Sequence, residues 1–273
     1  MNKIYQVYQV SDSTGETLDR IFLAIKAQFS NFECKTIHFS FTRTENQIDK
    51  IISRCKSEEN IIILYTIVEN KLSEYLKQEC NKIKIPCYEA LGSLILDFSK
   101  LLKQEASHKP SGQHALDDEY YQRIEAVQFT MEHDDGKIIS DINKSDIVLM
   151  GISRTSKTPT SMYLANRGYK TCNIPIIPNK ELPEQLLKNA EKMCTVGLVC
   201  DPRRLVEVRK NRVQFLYEDK PKDYIDEKEI LGELENSKKL FKKYQWPTID
   251  VTRKSVEETA ASIVKIFDIR RSK

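Results

Sequence analysis

No stretch of this chain approaches the roughly 20 consecutive apolar residues that a membrane-spanning helix needs. The opening MNKIYQVYQVSDSTGE has no secretory apolar core either, because Gln, Asp and Ser interrupt each short apolar run. Metal-binding spacings are also missing. The seven cysteines, at 34, 55, 80, 87, 172, 194 and 200, form no CxxC pair and are odd in number, and the four histidines form no HExxH. That pattern argues against a secreted disulfide framework and a structural zinc site. Cys194 and Cys200 lie in an apolar run and read as small buried residues. An excess of one sign of charge is lacking too: 43 Lys and Arg against 40 Asp and Glu leave +3. The two signs are interspersed, which argues against a dedicated nucleic-acid or membrane surface. The expectation is a reduced, metal-poor, cytoplasmic protein, and self-association as a homo-oligomer stays open.

What the chain has is alternation, over a length of 273 residues that suits one large or two medium domains. In the first hundred residues, strands at Ile4–Val10, Lys35–Phe41, Ile61–Val68 and Ile85–Tyr88 are each followed by a helix. These helices run from SDSTGE to about Phe29 and over Glu45–Lys56, Lys71–Lys82 and Leu91–Lys103. The branched apolar run IIILYTIV marks a strand buried on both faces. Such alternation predicts a parallel sheet covered by helices. Glu105–Gly112 (EASHKPSG) reads as a linker, and Asp117–Met131 as a helix broken at Asp134-Asp135-Gly136. A second series follows, with strands at Ile147–Met150, Thr171–Ile177, Cys194–Cys200 and near Thr248–Val251. Its helices are expected over Pro159–Arg167, Leu182–Lys192, Arg203–Lys210, Asp226–Lys243 and Ser255–Ile269. The fold class is α/β, in two α/β domains.

One turn of the second series carries chemistry. DIVLM leads directly into GISRTSKT, and a helix follows. A phosphate site needs converging backbone N–H groups, a lysine for the β/γ oxygens and a hydroxyl for the metal. Gly151 supplies the turn, Lys157 the charge and Thr158 the hydroxyl for Mg²⁺, while Ile152, Ser153, Arg154, Thr155 and Ser156 fill the loop. Pro159 fits only in the first helical turn, where its missing N–H costs little, and that sets a helix N-terminus beside Lys157. The spacing alone does not decide the matter, since GxxxxxK[ST] arises by chance in roughly one in seven chains of this length. Position 156 is serine where glycine is usual. The strand–loop–helix context makes the loop a nucleotide- or phosphate-binding candidate. The C-terminal domain, 105–273, is then a P-loop kinase-like parallel sheet with flanking helices; 105–145 is its linker and acidic helical segment, and 1–104 is the N-terminal α/β domain. Asn143-Lys144-Ser145-Asp146 spells the guanine-reading NKxD, but it precedes the loop instead of following a later strand, so the GTPase reading is rejected.

Other residues support the loop. Asp201 ends the apolar run TVGLVC, where an acid can organise Mg²⁺ or activate a nucleophile; capping the next helix is the alternative. That helix carries Arg203, Arg204, Arg209, Lys210 and Arg212, basic groups for a phosphorylated substrate or for a solvated face. In VSDSTGET the strand–loop–helix theme recurs without a lysine, and Asp12 and Ser13 are accessory candidates as caps or as a second anion or partner site. His114, Asp134 and Asp135 are further accessory candidates in the acidic segment.

VSDSTGETL, HALDDEYYQRIEAVQFTMEHDDG, DIVLMGISRTSKTPTSMYLANRGYK and DPRRLVEVRKNR, in this order, resemble the pyruvate, phosphate dikinase regulatory protein family, which is related to the regulators of phosphoenolpyruvate synthetase. Ser156 is normal within that family. The resemblance implies a bifunctional enzyme with the dikinase as protein substrate. Such an enzyme phosphorylates a target threonine with ADP as donor, and removes the phosphoryl group with inorganic phosphate, releasing pyrophosphate. Lys157, Arg154 and Asp201 are then the catalytic candidates. From the loop alone, a small-molecule P-loop kinase and a non-catalytic nucleotide-sensing module stay open.

Overall fold

The computed structural model of the chain describes residues 3–112, 118–137, 140–178, 180–188, 193–216 and 222–272. It forms two compact units, Met1–Ala115 and Leu116–Lys273. Each is built on a four-stranded sheet in which every described pairing is parallel. The expected α/β architecture in two domains is borne out.

In the first unit, β1 (Tyr5–Ser11), β2 (Cys34–Phe39), β3 (Ile61–Thr66) and β4 (Cys87–Glu89) alternate with α1 (Glu16–Lys26), α2 (Glu45–Cys55), α3 (Asn70–Lys82) and α4 (Gly92–Leu102). The strand order is β2-β1-β3-β4. Side chains alternate across the sheet, so Tyr8, Val10, Ile63 and Tyr65 enter one apolar cluster while Val7 and Leu64 pack with Leu18 and Phe22 on the other face. Strand β2 stops two residues short of the expected Phe41, which adopts a left-handed conformation with φ 55°. α2 starts where the sequence says it should, at a Thr44/Gln47 capping box that satisfies its first amides reciprocally.

The second unit opens with α5 (Asp118–Glu132) and continues with β5 (Ile147–Gly151), α6 (Lys157–Ala165), β6 (Thr171–Pro175), α7 (Glu184–Lys188), β7 (Cys194–Val199), α8 (Pro202–Leu216), α9 (Glu227–Lys243), β8 (Thr248–Asp250) and α10 (Val256–Arg271). Its order, β6-β5-β7-β8, repeats that of the first unit. β5 is buried throughout, with Val148 and Met150 in one cluster and Ile147 and Leu149 in the other. The helix expected over Leu182–Lys192 is described only at Glu184–Lys188, residues 189–192 lying outside the described residues. The helix expected to end at Lys210 runs on to Leu216, because NRVQF offers neither Gly nor Pro to stop it. All seven cysteines are free thiols. No described helix is long and apolar enough to cross a membrane.

The repeated order has a consequence for ligand sites. In each unit the chain steps to one side of the first strand and then crosses back to the other. The loop after that first strand therefore lies at the reversal point, where open parallel sheets bind ligands at their carboxyl ends. These loops are DSTG after β1 and ISRTS after β5.

Candidate functional site

The loop after β5 is tightly built. A Cβ added at Gly151 would lie 2.6 Å from Thr155 Oγ1 and 2.7 Å from the backbone oxygen of Leu198 in the adjacent β7. Only glycine lets the strand pass so close to its neighbour. Gly151→Ala is expected to destabilise the protein by about 1–3 kcal/mol, because the obstructing carbonyl belongs to a paired strand and cannot yield. Thermal unfolding checks this: a melting temperature at or above that of the wild type would refute it.

Beyond Gly151 the backbone alternates in sign. Arg154 has φ 70° and Ser156 φ 58°, while Thr155 between them stays at negative φ. Successive residues of opposite hand turn their N–H groups to one side, the geometry of an anion nest. Ser156 is the residue before α6, with ψ 22°. This is how serine serves at the usual glycine position: it adopts the left-handed conformation itself, at a cost of order 1–2 kcal/mol. Pro159 is the third residue of α6, inside the first turn as expected.

Lys157 begins α6 but points inward. It is 5% exposed, and its Nζ donates to the Ile152 carbonyl at 2.9 Å, which also accepts from Thr155 Oγ1 at 3.0 Å. Burial pulls its ammonium down from 10.5 to about 8; Asp135 and Asp134 partly oppose that, while Arg154 and Arg209 add to it. The acids that act on Lys157 thus come from the turn after α5. Thr158 Oγ1 donates to Asp134 Oδ1 at 3.1 Å, and Asn173 Nδ2, from β6, reaches Asp134 Oδ1 at 2.6 Å and Thr158 Oγ1 at 3.0 Å.

The other end of the loop is clamped. Arg209 is fully buried and corrects the solvated-face expectation for this residue. It lies four residues after buried Leu205, on the same face of α8. Its Nη2 donates to Glu233 Oε2 at 2.6 Å and to the Ser153 carbonyl at 3.3 Å, and Nη1 to the Tyr224 carbonyl at 3.0 Å. The guanidinium also stacks over the Tyr224 ring, 4.7 Å from its centroid. So committed, it braces the loop and is not free for a phosphorylated substrate. The Tyr224 hydroxyl meets Ser153 Oγ at 3.2 Å and Arg154 Nε at 3.3 Å. Tyr224, Glu233 and Asn173 escaped the sequence reading; only Asn173 left a signal, an amide in an otherwise apolar strand.

Asp201 follows β7, the strand paired with β5, and caps α8: its Oδ1 accepts from the amides of Arg203 at 2.9 Å and Arg204 at 3.2 Å. Asp146, the last residue of the rejected NKxD, accepts from the Lys170 amide at 2.9 Å and so holds the start of β5. Among the described residues no group of three or more His, Cys, Asp or Glu could hold a metal ion alone.

In the first unit, Asp12 and Ser13 line a cavity of about 200 Å³ at the end of β1. Neither caps α1, whose first turn is entered through Gly15 at φ 90°. Buried Asp12 accepts from the Val68 amide at 2.7 Å, and burial raises its carboxyl above the ordinary value. Ser13 Oγ pairs with Ser111 Oγ at 2.7 Å. His114 lies outside the described residues.

Comparison with known proteins gives this geometry a family. The profile described as "Kinase/pyrophosphorylase" matches residues 7–264. A relative from Pelagibacter ubique is 57% identical over 272 residues, covering 100% of this chain and 99% of its own. Relatives from Chelativorans sp. and Rhizobium meliloti are 42% and 43% identical, each over 96% of both chains. All three are named "Putative pyruvate, phosphate dikinase regulatory protein". On the strength of that profile and these full-length identities, the chain belongs to the kinase/pyrophosphorylase family of pyruvate, phosphate dikinase regulatory proteins.

Proposed function

We propose that the chain is a bifunctional serine/threonine kinase and phosphorylase acting on pyruvate, phosphate dikinase. It inactivates the dikinase by transferring the β-phosphoryl group of ADP to a threonine, and reactivates it by phosphate-dependent removal of that group as pyrophosphate. The observation that carries the reading is the nest at Arg154–Ser156 beside the buried Lys157 ammonium. A loop of this kind suits a diphosphate or a free phosphate equally, which is what the two reactions require.

In the forward direction the threonine Oγ attacks the β-phosphorus of ADP, the bond to the bridging oxygen breaks, and AMP leaves. Loop amides hold the phosphate oxygens, and Lys157 and Arg154 stabilise the charge on the transferring group. Asp201 takes the hydroxyl proton; one of its oxygens caps α8 and the other accepts no hydrogen bond among the described residues. In the other direction an oxygen of inorganic phosphate attacks the phosphothreonine, the P–Oγ bond breaks, pyrophosphate leaves and the threonine regains a proton. Magnesium suits the donor chemistry at the helix end of the loop, where Thr158 Oγ1 and Asp134 Oδ1 lie 3.1 Å apart. When bound, it would neutralise phosphate charge.

Incubating the protein with the dikinase and β-labelled ADP tests this. Label should appear on a dikinase threonine with one AMP formed per transfer, and added phosphate should release it as pyrophosphate. Label in a small metabolite would favour a small-molecule kinase, and nucleotide binding without transfer a sensor.

A further inference from the structure

Asn173 is the residue whose identity packing does not explain. It is fully buried in β6, the edge strand beside β5, between buried Cys172 and Ile174. Strands buried in parallel sheets favour branched apolar residues, and asparagine is depleted there. Its Oδ1 meets no donor among the described residues, and an unsatisfied buried acceptor costs roughly 1–3 kcal/mol. A valine would avoid that cost.

The amide nitrogen supplies the reason. Both of its hydrogens are engaged, one on Asp134 Oδ1 at 2.6 Å and one on Thr158 Oγ1 at 3.0 Å. The Thr158 hydroxyl, accepting from Asn173, sends its own proton to Asp134 Oδ1 at 3.1 Å. Three residues from β6, α6 and the turn after α5 therefore close a triangle. The backbone reinforces it, since Asn173 N donates to the His133 carbonyl at 3.2 Å, one residue before Asp134. His133 is anchored in turn by Nδ1 to the Phe129 carbonyl at 2.7 Å and Nε2 to Asp141 Oδ1 at 3.0 Å.

We infer that Asn173 is a positioning residue that presents Asp134 and Thr158 as an oxygen pair for the divalent cation accompanying the diphosphate. A hydroxyl oxygen has two lone pairs; that of Thr158 accepts from Asn173 with one, donates its proton to Asp134, and keeps the second. Asp134 Oδ2 takes no hydrogen bond from the described residues. Mg²⁺ takes few oxygens from a protein when phosphates and water complete its shell, and in P-loop enzymes those few are a hydroxyl and a carboxylate. Asp201 is the less suitable partner, because its Oδ1 is tied to two α8 amides and, among the described residues, it bonds to neither Thr158 nor Asn173, whereas Asp134 bonds to both. The inference rests on the proposed nucleotide-dependent transfer.

Calorimetric titration of ADP, with Mg²⁺ and then with a chelator in its place, tests it without reference to turnover. Mg²⁺ should tighten ADP binding by the wild type. In Asn173→Leu that gain should shrink by about 10–100-fold, the usual effect of removing an outer-shell partner, with the Mg²⁺-free affinity unchanged. Asn173→Val, at home in a buried strand, serves as the second variant should leucine impair folding. Asp134→Asn should abolish the gain, and Asp134→Asn/Asn173→Leu should be no worse than Asp134→Asn. With Mn²⁺ in place of Mg²⁺, the bound-ion EPR signal of the ADP complex should weaken in the same variants. A folded Asn173 variant, or Asp134→Asn, that keeps the wild-type gain and Mn²⁺ signal overturns the inference alone. So does a wild type that binds ADP equally with and without Mg²⁺. A wild type that binds no ADP overturns both the inference and the proposed function.

Discussion

Lys157→Met is expected to slow phosphotransfer by roughly two to three orders of magnitude and, at the same time, to make the protein more stable. The functional half follows from position: the ammonium is held beside the nest, on the Ile152 carbonyl, and losing such a preorganised charge costs on the order of 10²–10³ in rate. The stability half follows from burial. A lysine value pulled from 10.5 to about 8 means that the folded state disfavours the charged form, by about 3 kcal/mol at about 1.4 kcal/mol per tenfold. Methionine removes that penalty and keeps the length of the stem, but it gives up the ammonium's hydrogen bond to the Ile152 carbonyl, worth about 2 kcal/mol for a charged donor. The net gain of about 1 kcal/mol corresponds to a melting temperature higher by roughly 2–4 °C. The sign can be checked against pH. Between about 8 and 10.5 the unfolded lysine holds a proton that the folded one has lost, so wild-type stability rises with pH there. The advantage of methionine should therefore be full near neutrality and fade as pH climbs through that window. A variant less stable than wild type at neutral pH would show that the charge is solvated better than its burial implies.

The same residues show what could be read from the chain alone. DIVLM before Gly151 and Pro159 after Lys157 fixed the strand–loop–helix frame, because buried parallel strands and first-turn prolines leave local marks. Ser156 could be recognised as unusual, yet not as left-handed, since a serine backbone carries no signal of the conformation its neighbours impose. The clamp was invisible for another reason. Arg209 sits among Arg203, Arg204, Lys210 and Arg212 in a helix that looks solvated, and only its spacing from Leu205 places it inside. Its partners, Tyr224 and Glu233, lie 15 and 24 residues downstream, across a distance that no periodicity bridges. Asp201 illustrates the converse. Sequence offered two roles, and the structure displays the capping role through one oxygen while leaving the second oxygen open to the other.

Arg209→Met is expected to be the most destabilising single change at this site. Removing the guanidinium strips the donors from the carbonyls of Ser153 and Tyr224 and from both oxygens of Glu233, which lie 3.3 and 2.6 Å away. Breaking a buried ion pair from one side costs about 3–5 kcal/mol, because the remaining charge stays desolvated. The side chain of Glu233 keeps 19% exposure, which places the expectation at the lower end, a fall of roughly 6–12 °C in melting temperature. Arg209→Met/Glu233→Met separates the two contributions. Replacing both partners with apolar side chains removes the orphaned carboxylate and should restore most of the stability, as for other buried pairs exchanged whole. It cannot restore the hydrogen bond to the Ser153 carbonyl or the ring contact that seats Tyr224 against Arg154. The double variant should therefore melt near the wild type yet bind ADP weakly and transfer slowly. Recovery of both stability and transfer would show that the clamp only neutralises charge, and that the nest holds its shape without it.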